Sequence, residues 1–482
     1  MNAARMSQDQ NDYDVVVVGG GTAGAFAGIA AARAGARTLI IEKNGYLGGN
    51  LAFGMLLNGP VDGEGYWALG GIGREAMNRL HDMGGAFGTS DIFGLPNGAG
   101  WASMPQDPEL FKILLLQMAR ESGVNVLFHA IVPAVDMEGD KIKSVHVATK
   151  AGIRKIRGKQ VVDCSGDADV ASMAGASFVL GRPGDQLTQP ATRIFWLGNV
   201  NVREFWDYLE KEPEEVGDWV TPETVSNLRA TPGITIVGLR KSIARARAVG
   251  DFTIARNSSI MMTYPNRPII GLNLTRVHGV DGTDPVDVTR AEIESQLQIL
   301  EITKFYRKYV PGFEDCYISA APHHLGVRES RHIIGSYVLT GEDVLEGRSF
   351  ADQIGRCAHP FDIHDVSPGG KGLNLVPLVK SFGIPLRCLI PHSVSNLSVG
   401  GRCISADHEG SSAARGQAGC MVTGHAAGVV AALAARDGVR PADLTAEQVQ
   451  NLLISQGALL ERTEICKERV AVSDVSSVAC HA

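Results

Sequence analysis

The apolar pattern of this chain changes period twice within its first fifty residues. Asp14 to Val18 is a short β-branched run that suits a strand buried on both faces of a parallel sheet. Thr22 to Ala34 is rich in alanine and suits a helix, and Arg37 to Ile41 returns to strand character, giving the order β-α-β. Glycine-rich loop then persists to about Met104, followed by the helical "PELFKILLLQMARESGV". Asn125 to His129, Ile131 to Met137 and Lys141 to Thr149 read as strands, with "EGDK" turning a meander, and "KQVVDCSGDADVASMAGA" reads as a strand entering a Gly-Asp turn and a small helix.

From Ser177 to about Arg356 the pattern differs. "RIFWLGNVNVREFWDYLEKEPEEVGDW" predicts an amphipathic helix with an acidic end, "TPGITIVG" and "SSIMMTY" predict strands, and Arg290 to Tyr309 predicts a helix. Near the end, Thr445 and Gln448 stand at the two positions of a capping box opening "TAEQVQNLLISQGALL", and "SSVACHA" is expected to fray.

At 482 residues the chain exceeds what one hydrophobic core comfortably holds, so at least two lobes are expected. A formal charge of −7 supplies no basic field for nucleic acid. The eight cysteines include no CxxC pair, which argues against a zinc site, an iron–sulfur cluster or a dithiol redox pair. The polar start "MNAARMSQDQND" lacks the apolar core of a signal peptide, and no fully apolar stretch approaches membrane-spanning length. A reducing cytoplasm is therefore the expected location.

The 57 glycines gather in pairs and triplets between strand-like and helix-like runs, which brings backbone close to a large ligand. Gly19, Gly21 and Gly24 occupy the GxGxxG positions between the first strand and helix, and Glu42 ends the second strand. In such a turn the first glycine permits tight reversal, the second admits a pyrophosphate and the third lets helix pack on strand. The helix N-terminus then faces the phosphates, and the acid accepts hydrogen bonds from ribose hydroxyls and repels the 2′-phosphate of NADP. A second match, Gly71-x-Gly73-x-x-Ala76, follows no buried strand and reads as a mobile glycine-rich turn.

Several segments together resemble a family. The opening βαβ unit, the trailing Gly48-Gly49 pair, the meander, "VVDCSGDADVASMAGA" and "NLSVGGRCISADHEGSSAARGQAGCMVTGHAAGVVAALAA" are similar to FAD-dependent oxidoreductases of the glutathione-reductase-like superfamily. "APHHLGVRESRHIIGSYVLTGEDVL" and "FADQIGRCAHPFDIHDV" resemble the middle region of the subgroup that shares its flavin domain with the flavin-bearing subunit of heterodisulfide reductase. The resemblance implies an α/β Rossmann-like FAD-binding domain, a parallel sheet flanked by helices and a β-meander, interrupted by an inserted α+β substrate domain. The boundaries implied are 1–176 and 357–440 for the two parts of the FAD domain, 177–356 for the insertion and 441–482 for a helical tail.

By the same resemblance, Gly19, Gly21 and Gly24 with Thr22, Ala23, Glu42 and Lys43 hold the ADP half of FAD. Gly48, Gly49 and Asn50 pass near the pyrophosphate and flavin edge, Val132 offers main chain to adenine, and Gly166 and Asp167 close a second crossing. Gly401 and Arg402 end the last strand below the pyrophosphate, and the helix after Arg415 to Gly419 points its N-terminus at the flavin. Many relatives carry aspartate where Arg402 stands, and some carry a flavin-attaching histidine where Asn50 stands, so a non-covalent cofactor is expected.

For chemistry, histidine is the natural proton carrier near neutral pH. His324 and His364 are the candidates, in segments that also hold His323, His359 and Asp362, and Asp362 and His364 share one face of a strand. Arg328 and Arg331 could grip a substrate carboxylate or carbonyl, or form plain ion pairs. His408 and Glu409 precede the cofactor-facing helix, and Asp167 and Asp169 lack the further ligands a metal needs, so no metal is expected. The function read from this set is hydride transfer between a small organic substrate and non-covalent FAD, with a histidine handling the proton. The alternatives are an electron-transfer flavoprotein subunit of a multiprotein redox complex, a flavin reaction without net redox, and a NAD-only dehydrogenase. Neither nucleic acid nor membrane is an expected partner, and the reading leaves room for an external electron donor or acceptor and for a homo-oligomer.

Overall fold

The computed structural model describes residues 12–54, 56–94, 101–231, 233–265 and 267–470. Most of the polar N-terminal segment and the frayed end expected at 476–482 lie outside them.

Asp12–Val18 is the centre of a seven-stranded sheet. It pairs in parallel with Thr38–Ile41 on one side and Gly152–Asp163 on the other, Asn125–Leu127 extends the first side, and Leu397–Val399 joins Val161 to Asp163 in parallel. Gly152–Asp163 belongs to two structures. Its first half, largely exposed, pairs antiparallel with Lys141–Thr149, which in turn pairs with Ile131–Glu138 to make the meander. Its last four residues are all buried and enter the parallel sheet. The change from exposed to buried residues is the physical reason one strand can leave the meander and run into the core.

Thr22–Arg33 covers the sheet and packs against Gln417–Asp437. The second helix carries Gly424 and Gly428 where a Cβ would sit 2.1 Å from the carbonyl oxygens of Ala23 and Ala27, so the two backbones approach as only glycine permits. Gln417–Asp437 is long and apolar enough to cross a membrane, and its apolar window is wholly buried in the fold.

The second Gly-x-Gly match forms no turn. Gly71–Asp82 is a helix that buries Ile72, Ala76, Met77 and Leu80 on one face, while Arg74, Glu75 and Arg79 form ion pairs on the other. Gly73 keeps the helix close to Met421. The stretch before Met104 also contains a small sheet of Leu57–Asn58, Ala102–Met104 and Ser90–Asp91.

A second antiparallel sheet has five strands in the order Thr235–Gly238, Ser259–Thr263, Ile269–Asn273, Phe195–Gly198 and Tyr317–Ala320. The segment read as one amphipathic helix divides into the strand Phe195–Gly198 and the helix Val202–Lys211, because Asn201 caps the helix by accepting from the Glu204 N–H. Pro285–Tyr309 packs on this sheet through Ile299, Ile302, Phe305 and Tyr306. The core beneath it draws on residues from Phe195 to Cys316 together with Phe93. Ile333, Leu339, Val344 and Ile354 pack into the first core, and so do Val449 and Leu453 of Ala446–Ser455, whose Thr445–Gln448 capping box is formed.

Candidate functional site

The site begins at the turn leaving the first strand. Gly19 has φ +92°, and a Cβ there would meet the Cys164 carbonyl oxygen at 2.4 Å. A Cβ on Gly24 would lie 1.7 Å from the Gly19 carbonyl oxygen, whereas one on Gly21 would meet nothing within 4 Å. Gly19 and Gly24 thus pack the turn, and Gly21 opens onto a cleft. Glu42 supports the turn from below: one carboxylate oxygen accepts from the Gly20 N–H at 2.6 Å, the other from the Asn44 N–H and side-chain amide at 2.8 and 2.7 Å. The Thr22 hydroxyl lies 2.9 Å from the Gly48 carbonyl oxygen and 2.6 Å from the Gln417 side-chain oxygen and donates its one proton to either, tying the start of one helix to the start of the other.

The cleft runs along the carboxyl ends of the parallel strands. Gly19, Gly21, Thr22, Ala23, Glu42 and Lys43 line one part of it. Gly49, Asn50, Val132, Gly166, Asp167, Gly401, Arg402 and Arg415 line the rest of its first-unit wall. Three further sequence candidates lie behind this surface. Gly24 faces Gly19, a Cβ on Gly48 would meet Leu115 at 2.8 Å, and one on Gly419 would meet the Ala414 carbonyl at 2.4 Å, so these glycines serve packing.

The opposite wall is formed by Thr192, Glu292, His324, Leu325, Gly326 and Arg328. His324 stands edge-on to Phe53, ring centroids 4.4 Å apart, with its Nδ1 buried and unpartnered. Burial, then the cations Lys43, Arg402 and Arg193, pull its pKa down to about 3, so the imidazole is neutral. Arg328 donates to the Pro190 carbonyl. The other two catalytic candidates do not reach the cleft. His364 pairs through Nε2 with Asp362 at 3.3 Å, and Arg331 pairs with Asp169 at 3.3 Å and lies over the Phe178 ring. His408 is likewise withdrawn, held by Glu329 at 2.7 Å, and Glu409 packs beside Gly341.

Asp167 and Asp169 both line the cleft. Burial pushes the Asp167 carboxyl up, but Arg402 at 2.6 Å and Ser330 at 2.7 Å outweigh it and leave it below the ordinary value. Asp169, pressed by burial and by the charges of Asp167 and Asp163, is raised to about 6. Among the described residues no cluster of three or more metal-ligating side chains occurs.

The sequence reasoning missed Thr192, Glu292 and Gln417 on the cleft wall. Gln417 follows a glycine at a helix start and was discoverable from that position; Thr192 and Glu292 carry no local signal.

A parallel sheet with a glycine turn and two helix N-termini opening on one cleft is the arrangement of a dinucleotide-binding protein. The open face of Gly21 and the unpartnered buried Nε of Arg402 suit an extended, phosphate-bearing cofactor. Residues 14–453 match the family model described as FAD dependent oxidoreductase, and the chain belongs to that family. It is an FAD-dependent enzyme. It is similar to a digeranylgeranylglycerophospholipid reductase of Methanoculleus marisnigri, 28% identical over 267 residues that cover 52% of this chain and 62% of that protein. The matched region thus spans less than two thirds of that relative. Among solved structures it is similar to a geranylgeranyl bacteriochlorophyll reductase-like protein of Thermoplasma acidophilum, with 13% identity, coverage of 98% and 96%, and a TM-score of 0.45. It is also similar to the p-nitrophenol 4-monooxygenase PnpA of Pseudomonas putida, with 10% identity, coverage of 93% and 85%, and a TM-score of 0.47.

Proposed function

We propose that the protein exchanges a hydride between a small organic substrate and non-covalently bound FAD, with His324 handling the accompanying proton. The observation that carries this reading is the presence of His324 and Arg328 on the wall facing Gly21, Asn50 and Arg402 across one cleft. Gly19 to Ala23, Glu42 and Lys43 would hold the ADP half, and Gly49, Asn50, Asp167, Arg402 and the start of Gln417–Asp437 would hold the remainder. FAD supplies the two-electron acceptor or donor.

The chain's own residues supply the proton path and exclude water. With FAD bound to take the electron pair of a substrate C–H bond in the oxidative direction, the His324 imidazole would accept the proton of the adjoining O–H or N–H. That imidazole is neutral and so able to accept. Its low pKa comes from burial and from Lys43 and Arg402, and an anion beside those cations would raise it toward the working range. Phe53 packs edge-on against His324 and keeps its ring on the cleft wall. Within the family, the "GGRCISADHEG" and "RESRHIIGSYVLT" segments favour the subgroup sharing the heterodisulfide reductase flavin domain.

Anaerobic mixing with alcohols, amines, hydroxy acids and enoates tests the reading. One class should change the flavin absorbance stoichiometrically, and His324→Gln should slow that change while keeping FAD bound. A fully loaded protein whose flavin responds to none of them in either oxidation state would sink it.

A further inference from the structure

Beside the cleft, Arg256, Arg276, Arg328 and Arg415 gather with very little negative charge between them. Arg256, Arg276 and Arg328 are 5%, 3% and 8% exposed. Among the described residues the Arg256 guanidinium donates only to Asn273 Oδ1 at 3.4 Å, that of Arg276 to the carbonyl oxygens of Asp365 and Gly372 at 3.3 and 3.0 Å, and that of Arg328 to the Pro190 carbonyl. All are neutral acceptors. Asp362, 3.2 Å from Arg415, is the one carboxylate in ion-pair contact with any of the four among the described residues, and it is shared with His364. The Asp365 carboxylate accepts from the Ser367 N–H instead. The Nε atoms of Arg256, Arg276 and Arg415 are buried and unpartnered.

Two of the four open on the cleft, and Arg256 and Arg276 are buried behind them. Arg328 and Arg415 line the cleft, and so does Thr192, which shares the Asn273 side chain with Arg256. Gln189 bridges the Arg415 guanidinium and the His364 N–H. Burial and Arg276 pull the Arg256 guanidinium down to about 9, and burial with Arg256 and Arg415 pulls Arg328 far below the ordinary arginine range. In both, burial is the largest cause, and Asp362 offsets only part of it. A buried charge without a partner is costly, and planar guanidinium forks match a carboxylate through paired hydrogen bonds.

We infer that Arg256, Arg328 and Arg415, backed by Arg276, form the subsite that seats a carboxylate of the substrate, so that the enzyme acts on a small organic acid, a dicarboxylate being better matched than a monocarboxylate. This rests on the hydride-transfer reading above and names its substrate class.

The test uses the FAD-loaded protein, with calorimetric titration and thermal melting in succinate, acetate, succinamide and inorganic phosphate. Succinate should bind saturably, acetate more weakly and succinamide not at all. Arg256→Met should keep FAD, weaken succinate on the order of tenfold or more, and melt higher than the parent without succinate, because an unpaired buried charge has been removed. Arg256→Lys, which keeps the charge and loses the fork, should bind succinate with intermediate affinity and serves if the methionine variant does not fold. Equal binding of succinamide and succinate, tighter binding of phosphate than of any carboxylate, or loss of FAD with succinate affinity unchanged would each overturn the inference. Flavin reduction by a neutral substrate without succinate binding would remove this subsite and leave the hydride reading intact. Succinate binding without any redox substrate would do the reverse.

Discussion

Arg402 and Asp167, 235 residues apart in the chain, meet at 2.6 Å on the wall of the cleft. Each is largely buried, and the arginine is what holds the aspartate ionised against the pull of burial. The pair is electrically balanced, so an anionic cofactor can lie beside it without meeting a bare carboxylate. Arg402→Ala leaves Asp167 uncompensated and should weaken FAD on the order of a hundredfold. Adding Asp167→Asn should recover a substantial part of that loss. Fluorescence titration of the apoprotein with FAD measures both, and a double variant no better than the single one would refute this charge balance.

Gly21 and Gly24 make opposite demands three residues apart. Gly21→Ala places its methyl in open space, at a backbone position of φ −64° and ψ −164° that alanine tolerates, so apoprotein stability should change little. FAD affinity should nevertheless fall on the order of tenfold, because the methyl enters the cleft. Gly24→Ala drives its methyl into the Gly19 carbonyl and should cost about 3 kcal/mol of folding stability. Urea unfolding of the two apoproteins separates these outcomes. Equal destabilisation would mean that Gly21 is also a packing glycine.

What the sequence revealed is what local spacing encodes. The β-branched run to Val18, the GxGxxG turn and Glu42 lie within thirty residues of one another, and strand period, turn chemistry and helix packing agree there. The Thr445–Gln448 box was legible for the same reason. Gly71–Asp82 was obscured because its opening glycines imitate a nucleotide loop, while the face of Ile72, Ala76, Met77 and Leu80 that makes it a helix has value only against the Gln417–Asp437 helix and the first core. The arginine cluster was hidden more deeply. Arg256, Arg276, Arg328 and Arg415 come from four separate segments, and no spacing foretells that topology brings them to one place. His364 shows the converse: its Asp-x-His spacing is real and the pair forms, yet the pair sits away from the cleft surface.

Buried histidines make the fold sensitive to acid. His359 and His425 are both pulled by burial from 6.5 to about 4, so each stays neutral in the folded chain and takes a proton when the chain unfolds below pH 6.5. The unfolded state then binds more protons, and stability falls as pH drops from 6.5 toward 4. His425 lies away from the cleft, its Nε2 meeting Gln456 at 2.8 Å. His425→Gln should remove about 2 kcal/mol of the stability difference between about pH 7 and about pH 5. Urea denaturation at the two pH values measures it, and an unchanged difference would place the sensitivity elsewhere.

Glu329 and His408 work in the opposite sense. Their contact, 2.7 Å long and 0% and 3% exposed, joins the segment after His324 to the helix His408–Ala414. Burial would raise the Glu329 carboxyl, but His332 and His408 bring it down from 4.5 to about 2, while on His408 the carboxylate overcomes burial and raises the imidazole above 6.5. The lowered carboxyl contributes stability above pH 4.5 that is lost as pH falls through about 2, and the raised imidazole contributes stability below pH 6.5 that is lost as pH rises through its folded value. The pair is therefore strongest between pH 4.5 and 6.5. Glu329→Gln should cost about 3 kcal/mol in that window and less on its alkaline side. The difference between parent and variant at each pH cancels the common effect of His359 and His425, so a penalty that grew with rising pH would show that the hydrogen bond, and not the charge pair, fastens this segment to the cofactor domain.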